Sequence, residues 1–422
     1  MAQLTDDCFA FSGPLMPLAD MERLIGERVA PVAETETVPL NAARGRVLAA
    51  DVVAPVSLPP FDNSAVDGYA VRHADLDPKG ETRLAVEGRL TAGKAAPDPI
   101  ALGRAVRIFT GAPMPDGADT VFMQEDVQTE GADVVVPPGL KRGSNRRLAG
   151  EDVKIGSVVL RAGRRLAAQD VALAAAVGLT SLAVRRRIRV ALFSTGDEIV
   201  EPGRPLPAAA LYDANRYLLA GMLERLGAEV TDLGILKDDP AQLAPALAKA
   251  AHGHDLVLTS GGVSTGEADH VRDAVEQVGR LVFWRIAIKP GRPVAMGVIP
   301  AAGSSAAFVG LPGNPVAVFV TFARVVRPLF LRLAGAAPEP LTPLPVRFSF
   351  SYRKKQGRRE YVRVALRPAA DGTVEAFKHP QDGAGVITSL TETDGLAELS
   401  EDATTVEPGS TVGFLSYAAL MG

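Results

Sequence analysis

From Ile188 onward the chain settles into an alternation. Short apolar runs and helical patterns take turns up to about Leu333, and each apolar run ends in a polar or glycine-rich cluster. Ile188 to Phe193 ends in Ser194-Thr195-Gly196-Asp197-Glu198, and Glu229 to Leu236 ends in Lys237-Asp238-Asp239-Pro240. Asp255 to Thr259 runs into Ser260-Gly261-Gly262-Val263-Ser264-Thr265-Gly266-Glu267-Ala268-Asp269. Leu281 to Ile288 ends in Lys289-Pro290-Gly291-Arg292-Pro293, and Ala306 to Val309 in Gly310-Leu311-Pro312-Gly313-Asn314-Pro315. Between them, helices are expected at about 215–226, from Pro240, at 269–278 and from Pro315 to about Leu333. Nearly unbroken apolar strands separated by helices describe a doubly wound α/β domain whose strands are buried on both faces.

That fold has a geometric consequence. Parallel strands finish at one edge, and ligands sit in the crevice outside their carboxyl ends. Glu198, Asp238, Asp269, Lys289 and the two glycine loops are therefore expected to converge on one cleft. The 259–269 loop is neither a dinucleotide fingerprint nor a Walker loop, because both spacings are absent. Strand, glycine loop and helix start nevertheless aim N–H groups at an anion. Carboxylates and a lysine around such donors suit a phosphate ester with a bound divalent cation.

The 422 residues exceed one core, and a net charge of -4 leaves no basic surplus for sequence-independent nucleic-acid binding. The basic run Arg185-Arg186-Arg187 reads as a solvated face. One cysteine, Cys8, excludes an internal disulfide framework and a cysteine-based zinc site. No apolar run reaches transmembrane length, and Asp6 and Asp7 stand where a signal peptide is basic, so no membrane association and a cytoplasmic location are expected.

Upstream, residues 14–30 predict a helix with Asp20 as N-cap, and Leu40 to Ala49 a second helical piece. Phe61-Asp62-Asn63-Ser64-Ala65-Val66-Asp67-Gly68-Tyr69 packs carboxylates, an amide and a hydroxyl between aromatics, as a structural turn or as part of a site. Val71 to Val136 reads as a small β domain. Arg142 to Gly156 reads as a surface salt-bridge cluster, and Ala167 to Gly178 as an alanine-rich helix. After the proline-rich linker 336–345, alternating strands suggest a small β-barrel. Its basic stretch 353–363 and the glycine-rich loop Asp382 to Leu390 are either solvated surface or a second anion site.

Seven motifs, in order, resemble those of the molybdopterin molybdenumtransferase family, relatives of the C-terminal region of gephyrin. They are Pro60 to Ala70, Thr110 to Asp119, Gly150-Glu151-Asp152, Ser194 to Glu198, Thr259 to Asp269, Lys289 to Pro293 and Gly310 to Pro315. The resemblance implies an α/β multidomain chain: an elongated mixed N-terminal domain (1–57 with 143–184), a small β domain (58–142), a central molybdopterin-binding-like α/β domain (185–336) and a C-terminal β-barrel (337–422). It also implies a homodimer, transient contact with a molybdopterin adenylyltransferase, and insertion of molybdenum from molybdate into adenylylated molybdopterin with Mg²⁺, releasing AMP.

By the same resemblance Asp238 and Asp269 bind metal and help cleave the phosphoanhydride, with Glu198 as supporting acid. Asp62 and Thr110 complete the site from the other subunit. Ser260, Gly261, Gly262, Ser264 and Gly266 form the cradle, and Gly313, Asn314 and Pro315 its far wall. Lys289, Pro290 and Arg292 hold phosphate or molybdate, joined by Arg359 and Ser389 from the barrel; Asp152 reads as structural. The family's second lysine is Arg292 here, and a threonine is replaced by Ala214. Arginine keeps the charge, while Ala214 bears only on a helix cap. Rival readings are the adenylyltransferase itself and a gephyrin-like scaffold.

Overall fold

A computed structural model describes residues 15–95, 99–261 and 270–422. The alternation yields a six-stranded mixed sheet. Its strands are β1 (Arg189–Thr195), β2 (Glu229–Leu236), β3 (Leu256–Ser260), β4 (Arg280–Arg285), β5 (Pro293–Ala301) and β6 (Ser304–Leu311). They lie in the order β2-β1-β3-β6-β5-β4. Helices α1 (Asn215–Arg225), α2 (Pro240–Ala251) and α3 (His270–Val278) make the crossovers. Every residue of β3 is buried, which is why its sequence is an apolar run and not an alternation.

The strand β5 was not foreseen, and it makes the sheet mixed: it runs antiparallel to both β4 and β6. Gly303, at φ +72°, turns β5 into β6, and Gly297 lets β5 approach the backbone of β4, where a Cβ would lie 2.8 Å from Arg280 O. Those glycines and Pro300 hide the strand from a propensity reading. Because β5 starts where β4 ends, loop 286–292 still lies at the carboxyl edge. The expected long helix after Pro315 is also interrupted. Pro315–Thr321 and Arg327–Leu333 are α-helical, with a π-turn at Phe322–Val326 between them. Pro328 has no N–H for the carbonyl four residues back, at Arg324, which widens the helix there.

Three expectations upstream are corrected. Helix Leu18–Arg28 is preceded by Pro17, with no side-chain cap, and Asp20 lies in its first turn, 3.5 Å from Arg23. The piece at 40–49 is only a 3₁₀ turn, Leu40–Ala42; Gly45 at φ +78° then redirects the chain. Arg186 is no solvated residue: its guanidinium meets both oxygens of buried Asp255 at 3.0 Å. That ion pair, with the Arg189 N–H on the same carboxylate at 2.8 Å, ties the start of β1 to the start of β3.

Segment Thr35–Pro39 pairs with Ser181–Arg185, and Val52–Val53 with Val158–Leu160, so the chain leaves this region and returns to it. The excursion holds a six-stranded sheet spanning Gly68 to Val136. Downstream, the strands Arg359–Pro368, Val374–Lys378, Leu344–Phe348, Thr411–Ser416 and Gly395–Leu399 pair in that order, and the last pairs back with the first. This closed barrel encloses Phe348, Val364, Ala397 and Phe414. It reaches the α/β sheet through Ile288–Lys289, which pairs in parallel with Arg359–Glu360.

Candidate functional site

Polar side chains gather where β1, β3 and β6 end. Ser194 and Thr195 close β1, Ser260 closes β3, and Leu311 closes β6 before Gly313 and Asn314 open the next helix. Ser194, Thr195, Ser260, Gly313 and Asn314, together with Glu198, Asp213, Asn215 and Gly261, line a cleft of about 260 Å³. Gly261 is at φ +90°, and a Cβ there would stand 2.6 Å from Thr195 O. Only glycine lets the β3 end approach the β1 end so closely.

Asn215, the first residue of α1, joins the two loops. Its Nδ2 donates to Ser260 Oγ at 2.8 Å and to Gly313 O at 2.7 Å. The signal for it was slight: an asparagine opening a helix reads as a helix start. Ala214 provides no cap, but Asp213 Oδ1 accepts the Arg216 N–H at 3.2 Å instead, so the missing hydroxyl is compensated. Asn215→Ala is expected to cost about 1–2 kcal/mol of stability and to raise the KM for a substrate bound in this cleft about tenfold. Thermal unfolding and steady-state kinetics check both.

Asp238 follows β2 at the same edge. Burial pushes its carboxyl above the ordinary carboxylate range; His270 opposes this, and Asp197 and Glu198 add to it. Its Oδ1 is buried with no hydrogen-bond partner among the described residues. Asp238 is half-buried while Asp197 and Glu198 are exposed, and among the described residues no three potential metal ligands gather. The unpartnered oxygen beside two like charges nevertheless has the donor chemistry for a hard divalent cation, which would relieve both penalties. Asp197 and His270 were not singled out from sequence. Asp269, Gly262, Ser264 and Gly266 lie outside the described residues.

The loop Lys289 to Arg292 does not line the cleft itself. It stands beyond β6 at the same edge and contacts the helix that leaves the cleft, through the Thr321 hydroxyl donating to Gly291 O at 3.3 Å. The Lys289–Pro290 peptide is cis, Arg292 is exposed, and Lys289 Nζ lies 3.2 Å from Glu360 Oε2. Arg359 donates to Glu398 at 3.2 Å and Glu401 at 3.0 Å. Ser389 is fully buried; it accepts from Arg363 Nε at 3.0 Å and donates to Val386 O at 2.6 Å. Ser389 therefore offers no free surface but supports the glycine-rich loop. That loop meets the cleft wall, since Pro315's neighbour Val316 donates its N–H to Ala384 O at 3.0 Å.

Asp62 and Thr110 are held by their own part of the chain. Asp62 Oδ1 accepts the Ala149 N–H at 2.7 Å, and Oδ2 lies 3.6 Å from Arg146 Nε. Thr110 gives both its N–H and its hydroxyl to Asp67 Oδ1, each at 2.8 Å, and these bonds hold the Asp67 carboxyl below its usual range. Neither residue is among those lining the cleft of this chain.

Comparison with known proteins adds three family matches: the MoeA N-terminal region (domain I and II) over residues 16–178, a probable molybdopterin binding domain over 191–332, and the MoeA C-terminal region (domain IV) over 345–417. The molybdopterin molybdenumtransferase of Haemophilus influenzae is 38% identical over 394 residues, covering 92% of this chain and 95% of that protein. The enzyme of the same name from Nostoc sp. is 38% identical over 387 residues, covering 90% and 88%. The crystal structure of the molybdopterin biosynthesis moeA protein from Pyrococcus horikoshii OT3 superposes with a TM-score of 0.79 at 30% identity, covering 96% of this chain and 100% of that one.

Proposed function

The chain belongs to the molybdopterin molybdenumtransferase family, and on that premise we propose the particular form of its reaction. As a transferase it inserts molybdenum into molybdopterin for cofactor biosynthesis. The substrate we propose is adenylylated molybdopterin, cleaved with release of AMP as molybdate delivers its metal, with Mg²⁺ assisting. The observation that carries this reading is the buried Asp238 oxygen, which has no hydrogen-bond partner among the described residues, near the charges of Asp197 and Glu198.

In this reading Asp238 and Glu198, with Asp269, hold the cation. Bound there, it would offset the charge that grows as the phosphoanhydride opens. Ser260, Gly261, Asn314 and the N–H groups around them orient the phosphoryl oxygens, and Asn215 keeps the two loops at a fixed spacing. Lys289 and Arg292 receive a tetrahedral oxyanion, molybdate or phosphate, at the flank. Asp62 and Thr110 complete the site from the second subunit of a homodimer, a reading supported by neither residue lining this chain's own cleft. The division into domains at 57, 142, 184 and 336, a cytoplasmic location and transient contact with a molybdopterin adenylyltransferase belong to the same proposal. No helix among the described residues is long and apolar enough to cross a membrane.

The experiment is AMP release from adenylylated molybdopterin and Mg²⁺, with and without molybdate. AMP formation that depends on molybdate is the expected result. Nucleotide binding without AMP release would overturn the reading, and activity on ATP plus free molybdopterin would replace it with adenylyl transfer.

A further inference from the structure

Glu360 is a barrel residue only 1% exposed, and donors from three places converge on it. Arg358 Nε reaches Oε1 at 2.8 Å. Tyr352 OH at 3.0 Å and Lys289 Nζ at 3.2 Å share Oε2. A carboxylate buried this deeply must be paired to remain in place. Arg358 and Tyr352 already do that from within the barrel. The third donor comes from the segment that follows β4 of the α/β domain and joins the barrel's sheet as an added strand; it carries the Lys289-Pro290-Gly291-Arg292 motif.

The backbone sets up the same contact. Ile288–Lys289 runs parallel to Arg359–Glu360, and Arg359 donates its N–H to Ala287 O at 2.8 Å. Successive side chains on a strand point to opposite faces, so Glu360 turns to Lys289 while Arg359 turns to Glu398 and Glu401. The Lys289 side chain is 49% exposed although its ammonium is tethered. An ammonium has three N–H donors; one goes to Glu360, which leaves two for a ligand.

We propose that Glu360 is a positioning residue: from the barrel it holds the Lys289 ammonium in place to receive a tetrahedral oxyanion at the flank of the cleft. The inference rests on the oxyanion role given to Lys289 above. A free lysine would lose its rotamer freedom when the anion binds. A lysine already held by a rigid, buried acceptor does not incur that cost again, so the barrel contributes to binding without touching the ligand.

The test is a double-mutant cycle of Glu360→Gln and Lys289→Met in the full chain. Its readouts are the KM for molybdate, kcat, and the Kd for AMP as the phosphate probe. Glu360→Gln is expected to raise the molybdate KM or the AMP Kd about tenfold, with kcat changed less, and to add nothing further in the Lys289→Met background. The constant that moves tells which oxyanion Lys289 holds, and either one supports the proposal. Additive effects, or normal constants in Glu360→Gln beside a damaged Lys289→Met, would overturn the positioning role alone. Normal constants in Lys289→Met would remove the oxyanion role, and this inference with it. Should Glu360→Gln fail to fold, Glu360→Asp keeps the buried charge but withdraws it from Lys289, and the same cycle is read with that variant.

Discussion

Asp238→Asn is expected to abolish molybdenum insertion, by about a thousandfold, the scale of losing a preorganised charge contact at the reacting centre, while leaving the fold intact. The substitution keeps the shape and removes the charge that a divalent cation needs. It is not expected to destabilise the protein. Burial raises the Asp238 carboxyl above its ordinary range, so folding disfavours the ionised form. The stability cost of this group is absent at pH values low enough to protonate it and grows as pH rises through its folded-state value. A neutral amide removes that cost, so the variant's Tm at neutral pH should equal or exceed that of the parent. Adding Mg²⁺ should raise the parent's Tm and leave the variant's unmoved. A variant that turns over normally, or one that Mg²⁺ still stabilises, would take Asp238 out of the metal set.

Gly291→Ala is the second large effect, expected to cost about 3 kcal/mol from strain and overpacking together and to raise the molybdate KM. Gly291 sits at φ +97°, and a Cβ there would overlap Thr321 Oγ1 and stand 3.1 Å from Ala317 O. Thr321 is itself fully buried, so the helix cannot yield cheaply. The loop must move instead, taking Lys289 away from Glu360. Gly291→Ala/Thr321→Ala should recover part of the stability, because it removes the overlap with the hydroxyl but not the backbone strain. Chemical denaturation of both variants reads this directly. A single variant within about 1 kcal/mol of the parent, below the usual cost of such overpacking, would mean that the loop is not clamped to the helix.

Much of the α/β domain was legible because its signals are local. Apolar runs of strand length, Pro240 at a helix start and Gly227 at a helix end each act on their own neighbourhood. Strand Glu229–Leu236 and helix Ala168–Ala176 fall where the pattern places them, the helix within two residues at either end. The barrel was legible for the same reason, since half-buried strands alternate. Failures came where a local signal was weak or shared. Leu40 to Ala49 has helix-forming residues, but Gly45 ends the helix after one turn. Pro293 to Ala301 contains a glycine and two prolines, and only pairing on both sides makes it a strand.

Local patterning places the parallel strands and the helices between them, and hence brings Glu198, Asp238 and the two glycine loops to one edge, because parallel strands must end together. Which of those groups touch is settled by how the layers pack. Asn215 bridges residues 45 and 98 positions away. Arg186 finds Asp255 across 69 positions, and Lys289 finds Glu360 across 71. Periodicity carries no information about such pairs. A long charged side chain has the same local propensity whether it ends in water or on a buried carboxylate, and the choice is made by desolvation once the layers have packed.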